Sequence, residues 1–173
     1  MGADEIGVVQ VYMTPEEGRQ HIFPNASEFV REVRHLSPAA KGEWQQQVGH
    51  PFAEDSLEVY KALDRAGALL GYVMVSEEIG KFRPITFIVG VSTDFAVRGV
   101  AVLVYRESRG GEVRKSRFLR QYKNKGLSDP IRINRDIVNI SGATLSVRSL
   151  NFGVRKLLAL SSHFYRPTQS AMH

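Results

Sequence analysis

The fold of this chain is decided by residues 57–105, LEVYKALDRAGALLGYVMVSEEIGKFRPITFIVGVSTDFAVRGVAVLVY. This stretch contains four runs rich in Val, Ile, Leu and aromatic residues, at Leu57–Leu63, Leu69–Ser76, Ile85–Ser92 and Val97–Tyr105. The connections between the runs are shorter than the dozen or so residues that a parallel crossover needs, so they predict an antiparallel meander. The last two runs are nearly continuous in apolar residues, and both of their faces are therefore expected to be covered.

The residues before the meander are expected to be helical. Thr14–Glu17 reads as a capping box with Pro at the first helical position, and Ser37 begins a second helix that Gly49 ends. The sequence therefore predicts a helical N-terminal segment, residues 1–50, packed on a domain formed by residues 51–173. The predicted fold class is α+β, an antiparallel sheet of four or more strands packed with helices.

Composition narrows the class of protein and of site. The chain has 173 residues, enough to bury a core in one domain, and it has no cysteine, which excludes disulfides and thiolate chemistry. Its net charge of +5 is compatible with an anionic ligand or partner. No apolar run approaches the length of about 18 residues that spans a bilayer. Met1–Tyr12 lacks the basic start and the cleavage site of a signal peptide.

The strongest local motif is Ser141-Gly142-Ala143-Thr144-Leu145-Ser146, which stands where a loop meets a helix. Apolar residues recur at helical spacing after it, at Leu145, Leu150, Val154, Leu157 and Leu158. The first turn of a helix carries unpaired N–H groups and the positive end of the macrodipole, and a glycine lets a phosphate approach the backbone. Read without further context, Ser141 is equally compatible with an ordinary N-cap and Gly142 with an ordinary turn.

Several segments together resemble the FMN-binding domain family of RnfG, NqrC and NosR type. The string Ser-Gly-Ala-Thr, followed by an aliphatic residue and Ser, is similar to the flavinylation motif of that family. The resemblance extends over about Leu57 to Leu160 and includes Tyr105–Glu112, Phe118–Gly126, Gly71-Tyr72 and the strands around Gly90. One position departs from the family pattern, since Val138 stands where the family usually has an acidic residue, six positions before the threonine.

The resemblance implies electron transfer through FMN that an ApbE-type flavin transferase joins to Thr144 by a phosphoester. It implies redox partner proteins or a membrane electron-transfer complex, and an extracytoplasmic location with the targeting segment absent from this chain. It describes a carrier module, with no catalytic residue of its own, no metal and no nucleic acid. The residues expected to contact the cofactor are Thr144, Ser141, Gly142, Ala143, Leu145, Ser146, Glu107, Ser108, Arg109, Gly110, Gly111 and Lys81.

Other functions remain open at the level of sequence. A reductase could bind the flavin without a covalent bond, and an interaction domain could keep the fold without a cofactor, which Val138 would favour. The basic segment Arg114–Lys125, which contains Phe118 and Tyr122, could form a nucleic-acid face or a solvated helix with its aromatic residues in the core. A hydrolase site assembled from Ser108, His163 and Asp136 has no supporting local signature. The five histidines are scattered without metal-site spacing.

Overall fold

A computed structural model describes residues 9–107 and 110–167. They form an α+β fold in which six strands make one sheet and four α-helices accompany it. The strands are β1 (Gln10–Val11), β2 (Glu28–His35), β3 (Ser56–Leu63), β4 (Leu69–Ile79), β5 (Pro84–Ser92) and β6 (Val97–Tyr105). The α-helices are α1 (Pro15–Ile22), α2 (Pro38–Val48), α3 (Ser116–Leu119) and α4 (Thr144–Tyr165). Two 3₁₀ turns, Gly111–Arg114 and Arg120–Tyr122, flank α3.

The sheet is antiparallel throughout, with the strand order β1-β6-β5-β4-β3-β2. The four strands predicted from residues 57–105 are present and pair in sequence order, so the predicted meander is confirmed. The register shifts near Gly90, between β5 and β6, and near Ala62, between β3 and β4. Short connections leave consecutive strands no alternative to pairing as neighbours, which is why the local pattern was sufficient.

The expectation that residues 1–50 are helical was wrong in one respect, because this segment also supplies β1 and β2. Strand β2 pairs with β3 in an unbroken register from Glu28 opposite Leu63 to His35 opposite Ser56. It is the last strand of the sheet, and its sequence EFVREVRH has charged residues among the apolar ones, so it lacks the apolar run of a buried strand. The predicted division at residue 50 stays a prediction.

The predicted ends of α1 and α2 are confirmed. Thr14 Oγ1 accepts the N–H of Glu17, and the Glu17 carboxylate accepts the N–H of Thr14, which completes the capping box. Ser37 caps α2, and Gly49 ends it with φ of 89°, a left-handed conformation that favours glycine. These signals depend on residues within four positions of one another, which explains their reliability.

Each face of the sheet carries its own core. Helix α4 packs on β4 and β5, whereas α1 packs on β5 and β6 from the other side. Phe87 and Val89 of β5 face the α4 core, and Ile88 faces the α1 core. Strand β5 is therefore buried on both faces, as its continuous apolar sequence predicted. This double layer fixes the start of α4 at one end of the sheet.

The segment 114–122 is less regular than the short basic helix that its sequence suggested. Only Ser116–Leu119 is α-helical, and the residues on either side form 3₁₀ turns. Phe118 and Tyr122 are buried in the α4 core, which pulls the chain back toward the sheet every few residues. Among the described helices, none combines the length and apolarity that crossing a membrane requires.

Candidate functional site

Thr144 is the first residue of α4. The N-cap position belongs to Ala143, and no side chain in the described part of the chain caps the helix. Ser141 therefore is not the N-cap that the simplest alternative supposed. Because the first N–H groups of a helix have no partner within the helix, this uncapped end presents donors and the positive end of the macrodipole. Such an end can accept an anionic group.

The approach to α4 is a tight, exposed turn. Ser141 and Gly142 are exposed, and Gly142 adopts φ of 83° with nothing within 4 Å of the position that a Cβ would occupy. Ala143, in contrast, is buried, and its N–H donates to the carbonyl of Ile140 at 3.0 Å. The turn thus leaves space on its outer side while Ala143 anchors it to the core.

The loop that leads to this turn is fixed by two side chains. The Asp136 carboxylate accepts the N–H groups of Ile131 and Arg132, each at 3.0 Å, and forms an ion pair with Lys125 at 3.3 Å. Burial alone would raise the pKa of Asp136, but these hydrogen bonds and Lys125 outweigh it and lower that pKa. Farther along, Gln121 Oε1 accepts the N–H of Val138 at 2.8 Å.

Asn139 contacts Thr144 directly. Its Nδ2 donates to Thr144 Oγ1 at 2.9 Å. Its Oδ1 is buried and has no hydrogen-bond partner among the residues that the structure describes. Sequence analysis did not select Asn139, although one signal was present, a polar residue within the run Ile137-Val138-Asn139-Ile140.

The loop after β6 comes to the same place. A Cβ added to Gly110 would lie 3.4 Å from Ala143 Cβ and 3.4 Å from Ser146 Oγ. Gly110 also has φ of 80°, so this close approach of backbone to α4 favours glycine. Gly111 begins the following 3₁₀ turn. Ser108 and Arg109, which were expected in this loop, lie outside the described residues.

The β4–β5 loop is the third segment at this end of the sheet. A Cβ on Gly80 would lie 3.3 Å from Ser146 Oγ and 3.4 Å from Glu107 Oε1. The Glu107 carboxylate accepts the N–H of Phe82 at 2.6 Å and that of Arg83 at 2.9 Å. Glu107, which was expected to contact a cofactor, therefore holds the neighbouring loop.

Two buried polar side chains lie beneath these loops. Ser146 Oγ is 3.5 Å from the hydroxyl of Tyr105, and both residues are buried. Burial raises the pKa of Tyr105, and the nearby carboxylates of Glu107 and Glu112 add to the rise. Tyr105 is therefore a neutral hydroxyl at physiological pH.

Large apolar side chains are exposed around the start of α4. Phe82 is 77% exposed and Val138 is 74% exposed, and Ile79 and Leu145 are also exposed. Ser149, one turn after Leu145, donates its hydroxyl to the carbonyl of Ile79, which brings the β4 end against α4. An open cavity of about 870 Å³ begins here and is lined by Ile79, Gly80, Leu145, Arg148 and Ser149, among others. These side chains can cover a flat, partly apolar ligand.

The remaining candidates separate from this group. Lys81 is exposed, and its Nζ lies 5.2 Å from the centre of the Phe82 ring. His163 lies in the last turn of α4, where its ring is 5.9 Å from that of Trp44, whereas Asp136 is occupied by the loop before α4. The hydrolase alternative therefore has no geometric support among the described residues.

The basic segment does not present its aromatic residues to a nucleic acid. Phe118 and Tyr122 are buried, as the solvated-helix alternative expected. Within residues 9–107 and 110–167, no group of three His, Cys, Asp or Glu residues could hold a metal ion.

The described part of the site fits a phosphate-bearing flavin. The uncapped start of α4 matches the phosphate, the buried unpartnered Asn139 Oδ1 can accept a hydroxyl, and exposed apolar side chains match the ring. Glycine at positions 80 and 110 keeps the three segments close together.

Comparison with solved structures shows the same fold. NqrC of Shewanella oneidensis is similar with a TM-score of 0.55 and 17% identity, over 80% of this chain and 81% of that chain. The corresponding component of the Na⁺-translocating NADH-quinone reductase from Parabacteroides distasonis is similar with a TM-score of 0.57 and 16% identity, over 90% of this chain and 94% of that chain. No curated protein sequence matches this chain.

The family comparison concerns the part of the chain that forms the site. Residues 80–159 match the family model of the FMN-binding domain. The match begins at the β4–β5 loop, includes the loop after β6, and ends within α4, so it contains all three segments that meet near Thr144. The chain therefore belongs, through residues 80–159, to the FMN-binding domain family, and FMN is its cofactor.

Proposed function

We propose that this domain carries FMN as a phosphoester on Thr144 and relays electrons between redox proteins of an extracytoplasmic membrane complex. The observation that carries the proposal is the position of Thr144 Oγ1, at an uncapped helix start and in contact with Asn139. Bound FMN supplies oxidation–reduction chemistry that no side chain of the domain provides. The domain is then a carrier between a reduced donor protein and an oxidised acceptor protein.

The attachment requires an activated flavin donor and a flavin transferase of ApbE type. Thr144 Oγ1 attacks the flavin-side phosphorus of a flavin dinucleotide, forming an O–P bond while the anhydride P–O bond breaks. The hydroxyl proton passes to a base of the transferase, and a nucleoside monophosphate leaves. No electron is gained or lost, so the step needs no oxidant.

The described residues have separate roles toward the bound cofactor. The first N–H groups of α4 meet the phosphate charge, and Gly110 lets the neighbouring loop approach. Ile79, Phe82 and Leu145 exclude water from part of the ring. We further propose that Ser141, Gly142, Ala143, Ser146, Glu107, Ser108, Arg109, Gly111 and Lys81 complete the surroundings of the cofactor.

The partners and the location belong to the same proposal. The two similar structures are named as NqrC and as part of a Na⁺-translocating NADH-quinone reductase, which describes a component of a redox assembly. Their resemblance in fold supports the proposal of a membrane electron-transfer complex as the partner of this chain. We propose residues 51–173 as the FMN-binding domain and residues 1–50 as a segment packed on it.

The test is coexpression with an ApbE-type flavin transferase, followed by intact mass measurement. The wild-type chain should gain the mass of one FMN less water, and Thr144→Ala should abolish the gain. Ser141→Ala is the matched control, because Ser141 is an exposed hydroxyl of the same motif that does not cap α4. An unchanged gain in Thr144→Ala would show that another residue carries the flavin.

Acid precipitation of the same samples separates the alternatives. Colour that stays in the precipitate indicates a covalent flavin, and colour in the supernatant indicates a dissociable one, as in a small reductase. A colourless protein, under conditions in which the transferase modifies a known acceptor, would indicate an interaction domain without cofactor. Reversible bleaching of the bound flavin by dithionite, with recovery on addition of ferricyanide, tests the carrier function.

A further inference from the structure

Asn139 is a polar residue in an apolar environment. It lies between Ile137, which is buried, and Ile140, which packs against the core. Its Oδ1 is buried without a partner in the described chain, and a buried acceptor left unpaired costs about 1–3 kcal/mol. An apolar residue would avoid that cost, so folding alone does not account for an amide here.

The hydrogen bond that this side chain donates goes to Thr144. Nδ2 donates to Thr144 Oγ1 at 2.9 Å across five positions of the chain. Thr144 is half-buried, and the bond fixes the direction of Oγ1 at the start of α4. One lone pair of Oγ1 is engaged by the amide, and the other remains for a reacting atom.

We propose that Asn139 is the positioning residue for flavin attachment, holding Thr144 Oγ1 both as a free hydroxyl and as an ester oxygen. This inference rests on the proposed function. A threonine hydroxyl donates and accepts hydrogen bonds, whereas an ester oxygen only accepts. An amide N–H suits both states, because it donates in each.

A carboxylate at position 139 would not serve in the same way. It can accept from the free hydroxyl, but it has no hydrogen to donate to the ester oxygen. Its charge would also repel the phosphodiester, which is negative. The amide therefore matches the product and the reactant, and the group transfer itself needs no proton from Asn139.

The experiment measures initial rates of modification of purified, unmodified protein by a purified ApbE-type transferase with flavin adenine dinucleotide. The variants are Asn139→Asp, which keeps the shape and removes the donor, and Asn139→Leu, which removes all polarity. Asn25→Asp and Asn25→Leu are the controls, since Asn25 is exposed and lies outside the segments of the site. Loss of one oriented hydrogen bond, about 1.4 kcal/mol or more, predicts a kcat about tenfold lower in both Asn139 variants, with KM changed by less than about twofold.

Each outcome decides the matter. A wild-type chain that the transferase does not modify refutes the proposed function and not this inference alone. A modified wild type with Asn139→Asp at the wild-type kcat overturns the role of the donor, and so does a rise in KM with unchanged kcat, which indicates recognition by the transferase. If Asn139→Leu fails to fold by circular dichroism, Asn139→Asp decides, because its shape is the same.

A spectroscopic readout distinguishes positioning from a structural role. In ¹⁵N-labelled wild-type protein, the Asn139 side-chain amide should change its chemical shift when the flavin is attached and should remain protected from exchange. Loss of that protection in the modified protein would show that the hydrogen bond does not survive attachment.

Discussion

The Glu107 carboxylate accepts the backbone N–H of Phe82 at 2.6 Å, although 25 positions separate the two residues. It accepts the N–H of Arg83 at 2.9 Å with the same oxygen. The end of β6 thereby holds the β4–β5 loop against the start of α4. Two of the three segments of the site are joined by this one side chain.

Replacing Glu107 should loosen the β4–β5 loop. In Glu107→Ala, the amides of Phe82 and Arg83 lose their acceptor, and hydrogen exchange at both should accelerate about tenfold or more, corresponding to about 1.5 kcal/mol for bonds to a charged group. Glu112→Ala is the control, because this exposed carboxylate follows in the same segment. Unchanged exchange at Phe82 and Arg83 in Glu107→Ala would contradict the prediction.

Val138→Asp should raise the flavinylated fraction if the missing acidic residue limits modification. The Val138 side chain is exposed, while its N–H is held by Gln121 Oε1, so an aspartate can be accommodated without disturbing the core. Coexpression with the flavin transferase, stopped before completion, should show the increase by intact mass. Equal, complete modification of the two proteins would show that valine is sufficient at this position.

Lys156 should be essential for docking α4 on the sheet. Its side chain is 2% exposed and its ammonium contacts the carboxylates of Glu54 and Glu78, of which Glu78 is 13% exposed. Lys156→Met leaves the Glu78 charge without its partner and should lower the free energy of unfolding by about 3–5 kcal/mol in urea denaturation. Adding Glu78→Gln should recover part of the loss. Single and double variants of equal stability would rule out this cause.

Gly153→Ala and Gly42→Ala should have opposite effects. A Cβ at Gly153 would lie 2.1 Å from Phe87 Cζ, and Phe87 is fully buried, so overpacking should destabilise by about 1–3 kcal/mol. Gly42 lies within α2 with nothing within 4 Å, and alanine there should stabilise by about 0.5–1 kcal/mol through helix propensity. Thermal unfolding of the two variants beside wild type measures both signs. A stabilised Gly153→Ala would show that the Phe87 ring yields.

Asp136→Asn should reduce stability in a pH-dependent way. The pKa of Asp136 is lowered in the folded protein, so its stabilising contribution is present above its unfolded pKa, about 4, and disappears as pH falls through the folded value. The difference in free energy of unfolding between wild type and Asp136→Asn should therefore be constant from about pH 5 to 8. Below about pH 4 it should shrink. A difference that grows on acidification would reverse the assigned sign.

The sequence by itself determined the elements whose signals are local. Strands β3 to β6 follow from apolar runs joined by short connections, and α1 and α2 follow from caps at Thr14, Ser37 and Gly49. The start of the long helix at Thr144 also followed from a short motif and from helical spacing after it. In each case the deciding contacts join residues close in sequence, and a pattern of residue types is enough to specify them.

Only the tertiary structure decided the contacts that make the site. Strand β2 is held by pairing with β3, and its mixed sequence gives no apolar run to identify it. The bond from Asn139 to Thr144 and those from Phe82 and Arg83 to Glu107 depend on where the chain returns, not on residue type alone. Hydrogen bonds require donor and acceptor within about 3 Å and aligned, and such precision arises when the packed core fixes the segments.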